Sequence, residues 1–185
     1  MSIEDKERNK YERMWSFPAY RGWSPGYEAA PIAYRTMKCE AGDSLIDMGC
    51  GTGRAGDYFH ERGLVVTLVD FVTTAVETNH LPFINACLWD LPRDLSATHT
   101  FCADVMEHIP PTHVEAVIDC IARATERTAF FQIATGRDSC GELIGEALHL
   151  TVEPDAFWRA LLVQRFEMIE EASTGHAYRF TGARR

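Results

Sequence analysis

Short apolar runs alternate with amphipathic stretches through the middle of this chain. Ser44–Met48 is an apolar run closed by an acid, Asp47. Leu64–Asp70 is a β-branched run, Phe83–Leu88 is a third, Thr98–Ala103 a fourth and Thr128–Ala134 a fifth. Continuous runs of this length read as strands buried on both faces, as in a parallel sheet. Between them lie helical patterns over Ala55–Arg62, Thr73–Asn79 and Thr112–Thr125. Gly63 stands where a helix C-cap belongs, and Asp90-Leu91-Pro92 closes the third strand. Such alternation predicts a doubly wound α/β sheet with helices on both faces and a ligand at the strand C-terminal ends.

The flanks read differently. Glu4–Trp15 suits an amphipathic helix. Residues 16–27 mix prolines, glycines and four large aromatics, an arm too aromatic for a solvated tail. It is expected to pack on the core, to lid a ligand site, or both. Glu28–Cys39 suits a helix, with Ala41-Gly42-Asp43 turning into the first strand. After the fifth strand, Thr135–Gly141 reads as a loop, Glu142–Leu148 as a helical turn and Pro154–Leu162 as a helix begun by proline. Arg165–Glu171 and Tyr178–Thr181 pair as a final hairpin turning at Ser173-Thr174-Gly175.

With 185 residues and 46% hydrophobic content, residues 1–185 are expected to form a single domain. No run is long enough to cross a membrane, and the charged start does not read as a signal peptide. The net charge of −9 argues against extended nucleic-acid binding, which rests on neutralising phosphates. Six cysteines, none in a C-x-x-C pair, read as the reduced thiols of a cytoplasmic protein.

The chemistry centres on Asp47-Met48-Gly49-Cys50-Gly51-Thr52-Gly53-Arg54. Strand, glycine loop and helix together make a nucleotide-cofactor site. The run from Gly51 to Gly56 fits G-x-G-x-x-G, with Asp70 following at a dinucleotide-like distance. Against a nicotinamide-dependent oxidoreductase stand three features. Asp47 precedes the glycines and would repel a pyrophosphate; the chain leaves little room for a substrate domain; and the segment after the fourth strand is unlike a hydride-transfer site.

These residues resemble the class I S-adenosylmethionine-dependent methyltransferases. Leu45–Gly53 is similar to their first motif, Asp70 to their ribose-binding acid, and Asp104–Pro110 to the segment after their fourth strand. The resemblance implies a Rossmann-like, mostly parallel seven-stranded sheet of order 3-2-1-4-5-7-6. It also implies a cofactor set of Asp47, Gly49, Cys50, Gly51, Gly53, Arg54, Asp70, Phe71, Cys87, Leu88, Trp89 and Asp104. Where many relatives place an acid near the adenine amino group, this chain has Cys87, so that contact falls to the main chain of Cys87 and Leu88, with Trp89 beside the ring, or to Asp90. A sulfonium cofactor tolerates a neighbouring acid that a pyrophosphate would not.

Asp104, Glu107, His108 and the later His149 resemble the metal ligands of ubiquinone-biosynthesis and small-RNA O-methyltransferases. The resemblance implies Mg²⁺ or Mn²⁺ beside a substrate hydroxyl. Without metal, His108 or His149 is the candidate general base, or these residues cap the following helix. The expected activity is methyl transfer to an unidentified acceptor, a small molecule or nucleotide, with metal-assisted O-methylation as the sharper form. A cofactor-binding protein without transfer, and a lyase that cleaves the cofactor, remain alternatives.

Overall fold

A computed structural model describes residues 2–185. Seven strands form one sheet: β1 (Ser44–Met48), β2 (Val65–Asp70), β3 (Phe83–Asn85), β4 (Ala97–Ala103), β5 (Thr125–Ala134), β6 (Phe166–Ser173) and β7 (Ala177–Arg184). Their order is β3-β2-β1-β4-β5-β7-β6. The first five run parallel, while β7 pairs antiparallel with both β5 and β6. This is the expected order, mostly parallel with an antiparallel hairpin inserted at one side.

The period of two along each strand divides the core between the sheet faces. Leu45, Leu68, Phe101 and Phe130 face one way, against Ala29, Ala30 and Ala33 of α3 (Pro25–Thr36) and Phe59 of α4 (Arg54–His60). Ile46, Val69, Cys102 and Phe131 face the other way, toward Val117, Ile118 and Ile121 of α5 (Val114–Ala124) and Trp158 of α6 (Asp155–Leu162). Gly56 lies inside α4, where an added Cβ would stand 2.4 Å from Leu68 Cδ2. The third glycine of the dinucleotide-like spacing therefore lets α4 sit down on β2.

Several boundaries move. The third strand stops at Asn85 instead of Leu88, because residues 86–89 turn away to form a wall of the site. The helix expected over Thr73–Asn79 shrinks to a 3₁₀ turn at Thr73–Ala75. The β-branched Val72, Thr73, Thr74 and Val76 around it disfavour a longer helix. The proline-rich arm contains a short helix, α2 (Pro18–Gly22), and Pro25 starts α3 ahead of the expected Glu28. Proline suits a first helical turn, where its missing N–H has no partner to lose.

The N-terminal helix α1 (Ile3–Trp15) lies across the C-terminal ends of the strands. Ser2 and Asp5 form a reciprocal capping box that starts it. Tyr11 and Met14 bury against Val72, Ala75 and Leu148. Ion pairs and carbonyl contacts staple it further. Arg13 reaches Glu146 Oε1 at 2.6 Å and the Ile144 carbonyl at 2.9 Å. Arg8 donates to the Phe71 carbonyl, and Lys10 pairs with Glu7 in nearly complete burial. Arg21, just beyond, donates to the carbonyls of Trp15, Thr74 and Ala75. No helix among the described residues is long and apolar enough to cross a membrane.

Candidate active site

The site grows from the turn after β1. Gly49 and Gly51 take φ of 75° and 52°, in the left-handed region that favours glycine. Space also demands glycine there. A Cβ on Gly49 would lie 2.6 Å from Val105 Cγ2, and one on Gly51 2.9 Å from Trp15. The loop backbone is thus pressed between the β4 segment and α1, bordering a cleft of about 670 Å³ that includes its open mouth.

That cleft brings together Gly49, Gly51, Asp70, Phe71, Cys87, Leu88, Trp89 and Asp104. Glu7, Tyr11 and Trp15 of α1 form its roof, with Tyr20 of α2 alongside. Its lining is mostly apolar, with a few fixed polar groups, the usual make-up of a small-molecule site. A second, wider groove continues from it past Asp47, Cys50, Glu107, His108 and His149 to Arg137 and Arg179. Gly53 and Arg54 stand back from both. Gly53 caps α4, and the Arg54 guanidinium pairs with Glu77 at 3.1 Å. In the structure Gly53 serves the strand-to-helix turn through its φ of 85°, and Arg54 serves an ion pair.

Two acids sit under the loop. Asp70 accepts from the Gly51 N–H through Oδ2 and from the Val72 N–H through Oδ1, both at 2.9 Å. Burial raises its pKa and those main-chain donors oppose the rise. Asp47 is buried, and its Oδ2 has no hydrogen-bond partner. Burial pushes the Asp47 carboxyl up to about 7, with the neighbouring Asp70 charge adding to the shift. An orphaned buried acceptor is costly, which points to a donor or cation arriving with a ligand.

Beyond the loop, residues 104–108 and 148–151 clamp one another. The Glu107 carbonyl accepts from the N–H groups of Leu150 and Thr151, at 2.8 and 2.9 Å. His108 Nδ1 lies 3.1 Å from the Leu148 carbonyl and 2.6 Å from the Tyr11 hydroxyl. The rings of His108 and His149 meet edge to face at 4.7 Å. Glu107 is fully buried, and neither of its carboxyl oxygens has a hydrogen-bond partner, His108 Nε2 standing 4.0 Å from Oε1. Glu107, His108 and His149 each offer a ligand atom, all within 4.8 Å of one another. Burial, then the Asp104 charge, raises the Glu107 carboxyl to about 8. Burial, then His149, lowers His108 to about 3, so its imidazole stays neutral.

Asp104 stands apart from this trio. Its Oδ2 accepts from Gln132 Nε2 at 2.6 Å, and its own backbone is left-handed at φ 55°. The expected four-ligand set is therefore a three-residue group, with Asp104 engaged by the neighbouring strand. His149 is set by the loop after β5. Its Nδ1 meets the Gly136 carbonyl, while Asp138 accepts from the N–H groups of Gly141, Leu148 and His149. Burial would raise the Asp138 carboxyl, yet these amides and the His149 charge bring it below the usual range.

Sequence reading passed over Glu7, Val105, Gln132 and Arg179 as site residues. Gln132 did leave a trace, as the one amide inside the apolar run Phe130-Phe131-Gln132-Ile133. Arg179 left none, since only the antiparallel hairpin brings it beside Gln132.

Residues 46–133, the stretch that builds the sheet centre and the cleft, match the methyltransferase domain family. A ubiquinone biosynthesis O-methyltransferase of Glaesserella parasuis serovar 5 (strain SH0165) is 27% identical in an alignment of 140 residues that covers 60% of this chain. The match spans 56% of that relative's length. Among solved structures, the N-methyltransferase NodS of Bradyrhizobium japonicum WM9, in complex with S-adenosyl-L-homocysteine, superposes with a TM-score of 0.72 at 13% identity. It covers 96% of this chain and 98% of that one. A Burkholderia thailandensis 1,6-didemethyltoxoflavin-N1-methyltransferase gives 0.73 at 13% identity, over 100% of this chain and 91% of its own. At such identities these two structures speak for the fold alone. The methyltransferase-domain match thus falls on most of the residues that line the cleft, and the seven-stranded fold is the one this chain shares with these methyltransferase structures.

Proposed function

We propose that this protein transfers the methyl group of S-adenosylmethionine to an oxygen of a small acceptor, with a divalent cation held by Glu107, His108 and His149. The cofactor fits the residues present. The orphaned Asp47 suits its ammonium end, the Gly49–Gly51 backbone admits close approach, and Phe71, Leu88 and Val105 offer an apolar wall. Asp70 keeps spare lone pairs for ribose hydroxyls beyond the two main-chain donors it already serves.

The observation that carries the metal reading is Glu107, buried with both oxygens unpartnered beside two imidazoles. A mixed carboxylate and imidazole set suits a Mn²⁺- or Mg²⁺-like ion. When bound, the cation supplies Lewis acidity that lowers the pKa of an acceptor hydroxyl. The chain's own residues do the rest. The Leu148 carbonyl orients the His108 ring, Gly136 and Asp138 set His149, and α1 roofs the cleft against water. The O-methyltransferase relative, as named, fits an oxygen acceptor. A small molecule or nucleotide suits the groove and the net charge better than a long polyanion. The arm ahead of α3 serves as a lid in this reading, and six free cysteines fit a reducing cytoplasm.

Catechol-type hydroxyl compounds, assayed for S-adenosylhomocysteine release with Mn²⁺, Mg²⁺ or a chelator, test the reading. Release that needs both acceptor and metal is expected. Release indifferent to chelation removes the metal from the reading. Cofactor cleavage without an acceptor makes the protein a lyase, and failure to bind S-adenosylmethionine overturns the reading as a whole.

A further inference from the structure

The acceptor groove holds one guanidinium that the fold fixes in place and that makes no direct ion pair among the described residues, with Asp104 lying beyond the Gln132 amide. Arg179 on β7 lies directly opposite Gln132 on β5 in the antiparallel register. Gln132 is almost fully buried, and its amide is committed at both ends. Its Oε1 accepts from Arg179 Nε at 2.7 Å, and its Nε2 donates to Asp104 Oδ2 at 2.6 Å. That single bond is the only one Arg179 makes among the described residues, so both Nη groups remain free on the groove wall. Arg137, exposed at the same groove, has neither ion pair nor hydrogen bond among the described residues.

Arg13, Arg21, Arg54, Arg127, Arg159 and Arg165 pair with acids, while Arg35 and Arg93, which make no such bond among the described residues, are exposed and lie outside the groove. An acidic protein with a net charge of −9 repels anions at long range, so a site for one needs local guanidinium. None of the acids bordering the groove forms a direct ion pair with Arg179 or Arg137 among the described residues, and most have their hydrogen-bonding oxygens directed elsewhere. Asp104 accepts from Gln132, Asp138 accepts from three main-chain amides, and the Glu107 carboxyl faces the two histidines. Glu28 of α3 borders the groove too and makes no ion pair with either arginine among the described residues.

We infer that Arg179, pre-set by Gln132 and supported by Arg137, is the anion subsite of the acceptor groove, so that the methyl acceptor carries a carboxylate or phosphate group. A fixed planar fork with two free donor pairs matches those groups bidentately. This inference rests on the methyltransferase reading for the name of the groove, though anion binding is measurable without turnover.

The test follows the Arg179 Nε–H resonance in ¹⁵N-labelled protein saturated with S-adenosylhomocysteine. Sodium benzoate and inorganic phosphate are titrated in separate arms, with benzamide and sodium chloride as controls at matched ionic strength. A saturable shift with benzoate or with phosphate, absent from both controls, is expected, and the stronger arm names the anion. The groove signals that report this binding should lose their saturable response in Arg179→Gln. Arg179→Lys, which keeps charge without the fork, should weaken binding about tenfold or more. A shift that is linear, that chloride reproduces, or that persists on the groove signals of a dispersed Arg179→Gln spectrum overturns the inference. If S-adenosylhomocysteine fails to bind, the functional reading falls, while the same titration of the unliganded protein still decides the anion subsite.

Discussion

Asp47 joins burial to function through a single proton. Its carboxyl is raised to about 7 by burial first and by Asp70 second. In the unfolded chain it ionises near its ordinary value of 3.8. The folded protein therefore holds this proton over the window from about 4 to 7, where the unfolded chain has lost it. Its contribution to stability is fully present below 3.8 and is lost as pH rises through 7. A ligand ammonium reverses the balance, because it favours the ionised carboxylate. Affinity for S-adenosylhomocysteine should thus rise by up to about tenfold per pH unit below 7 and level off above it. Calorimetric titrations from pH 5 to 9 check this, and Asp47→Asn should weaken binding and flatten the profile.

A second residue-scale prediction concerns Asp138. Three main-chain amides converge on its carboxylate, two of them from Leu148 and His149. Asn at this position can present an N–H₂ group where an acceptor is required. Loss of two such bonds should cost about 1–3 kcal/mol locally and misplace His149. Asp138→Asn is expected to lower Mn²⁺ affinity at least tenfold, by electron paramagnetic resonance, while leaving S-adenosylhomocysteine affinity within about twofold. Equal losses of both would make Asp138 a general structural residue instead.

At the scale of elements, α1 is the part whose role depends most on its neighbours. By itself it is a capped amphipathic helix with a charged face. In the fold it roofs the cofactor cleft, presses Trp15 on Gly51 and brings the Tyr11 hydroxyl to His108. Cofactor entry and exit are accordingly tied to the docking of this helix. Trp15→Ala should speed S-adenosylhomocysteine dissociation roughly tenfold with less effect on association, since contact losses fall mainly on the off-rate. Stopped-flow fluorescence using Trp23 or Trp89 as reporter measures it. Unchanged dissociation would show that α1 packs beside the cleft without closing it.

For the whole molecule, ligand binding at the centre of the sheet should be felt globally. The cleft draws on the ends of β1, β2 and β4, the 86–89 turn and α1 at once. At a ligand concentration near 100 times its Kd, S-adenosylhomocysteine adds about 2.7 kcal/mol of stability. In a chain of this size that raises Tm by roughly 5–10 °C. NAD should produce no comparable rise, and a larger rise with NAD would overturn the cofactor assignment.

The alternation of buried strands and helices, the glycine turn and the paired acids Asp47 and Asp70 were legible in the chain as local patterns, whereas the strand order came from the family resemblance. A β-branched run buried on both faces must be a central strand. An acid-capped strand followed by glycines at positive φ must turn tightly around something. The short third strand and the lost helix after Asp70 were not legible, because tertiary walls truncate what local propensity would extend. Nor could spacing show that Asp104 turns toward Gln132 while Glu107 stays orphaned between two histidines, or that Gly53 and Arg54 face away. Those outcomes depend on which side chains the sheet register and the 148–151 clamp bring within hydrogen-bond reach. The fold class and the cofactor loop follow from the order of residues alone, since both arise from short-range periodicity and backbone freedom. The roof, the three-residue ligand group and the setting of Arg179 come only with the folded molecule, because each joins segments about 40 or more residues apart in the chain.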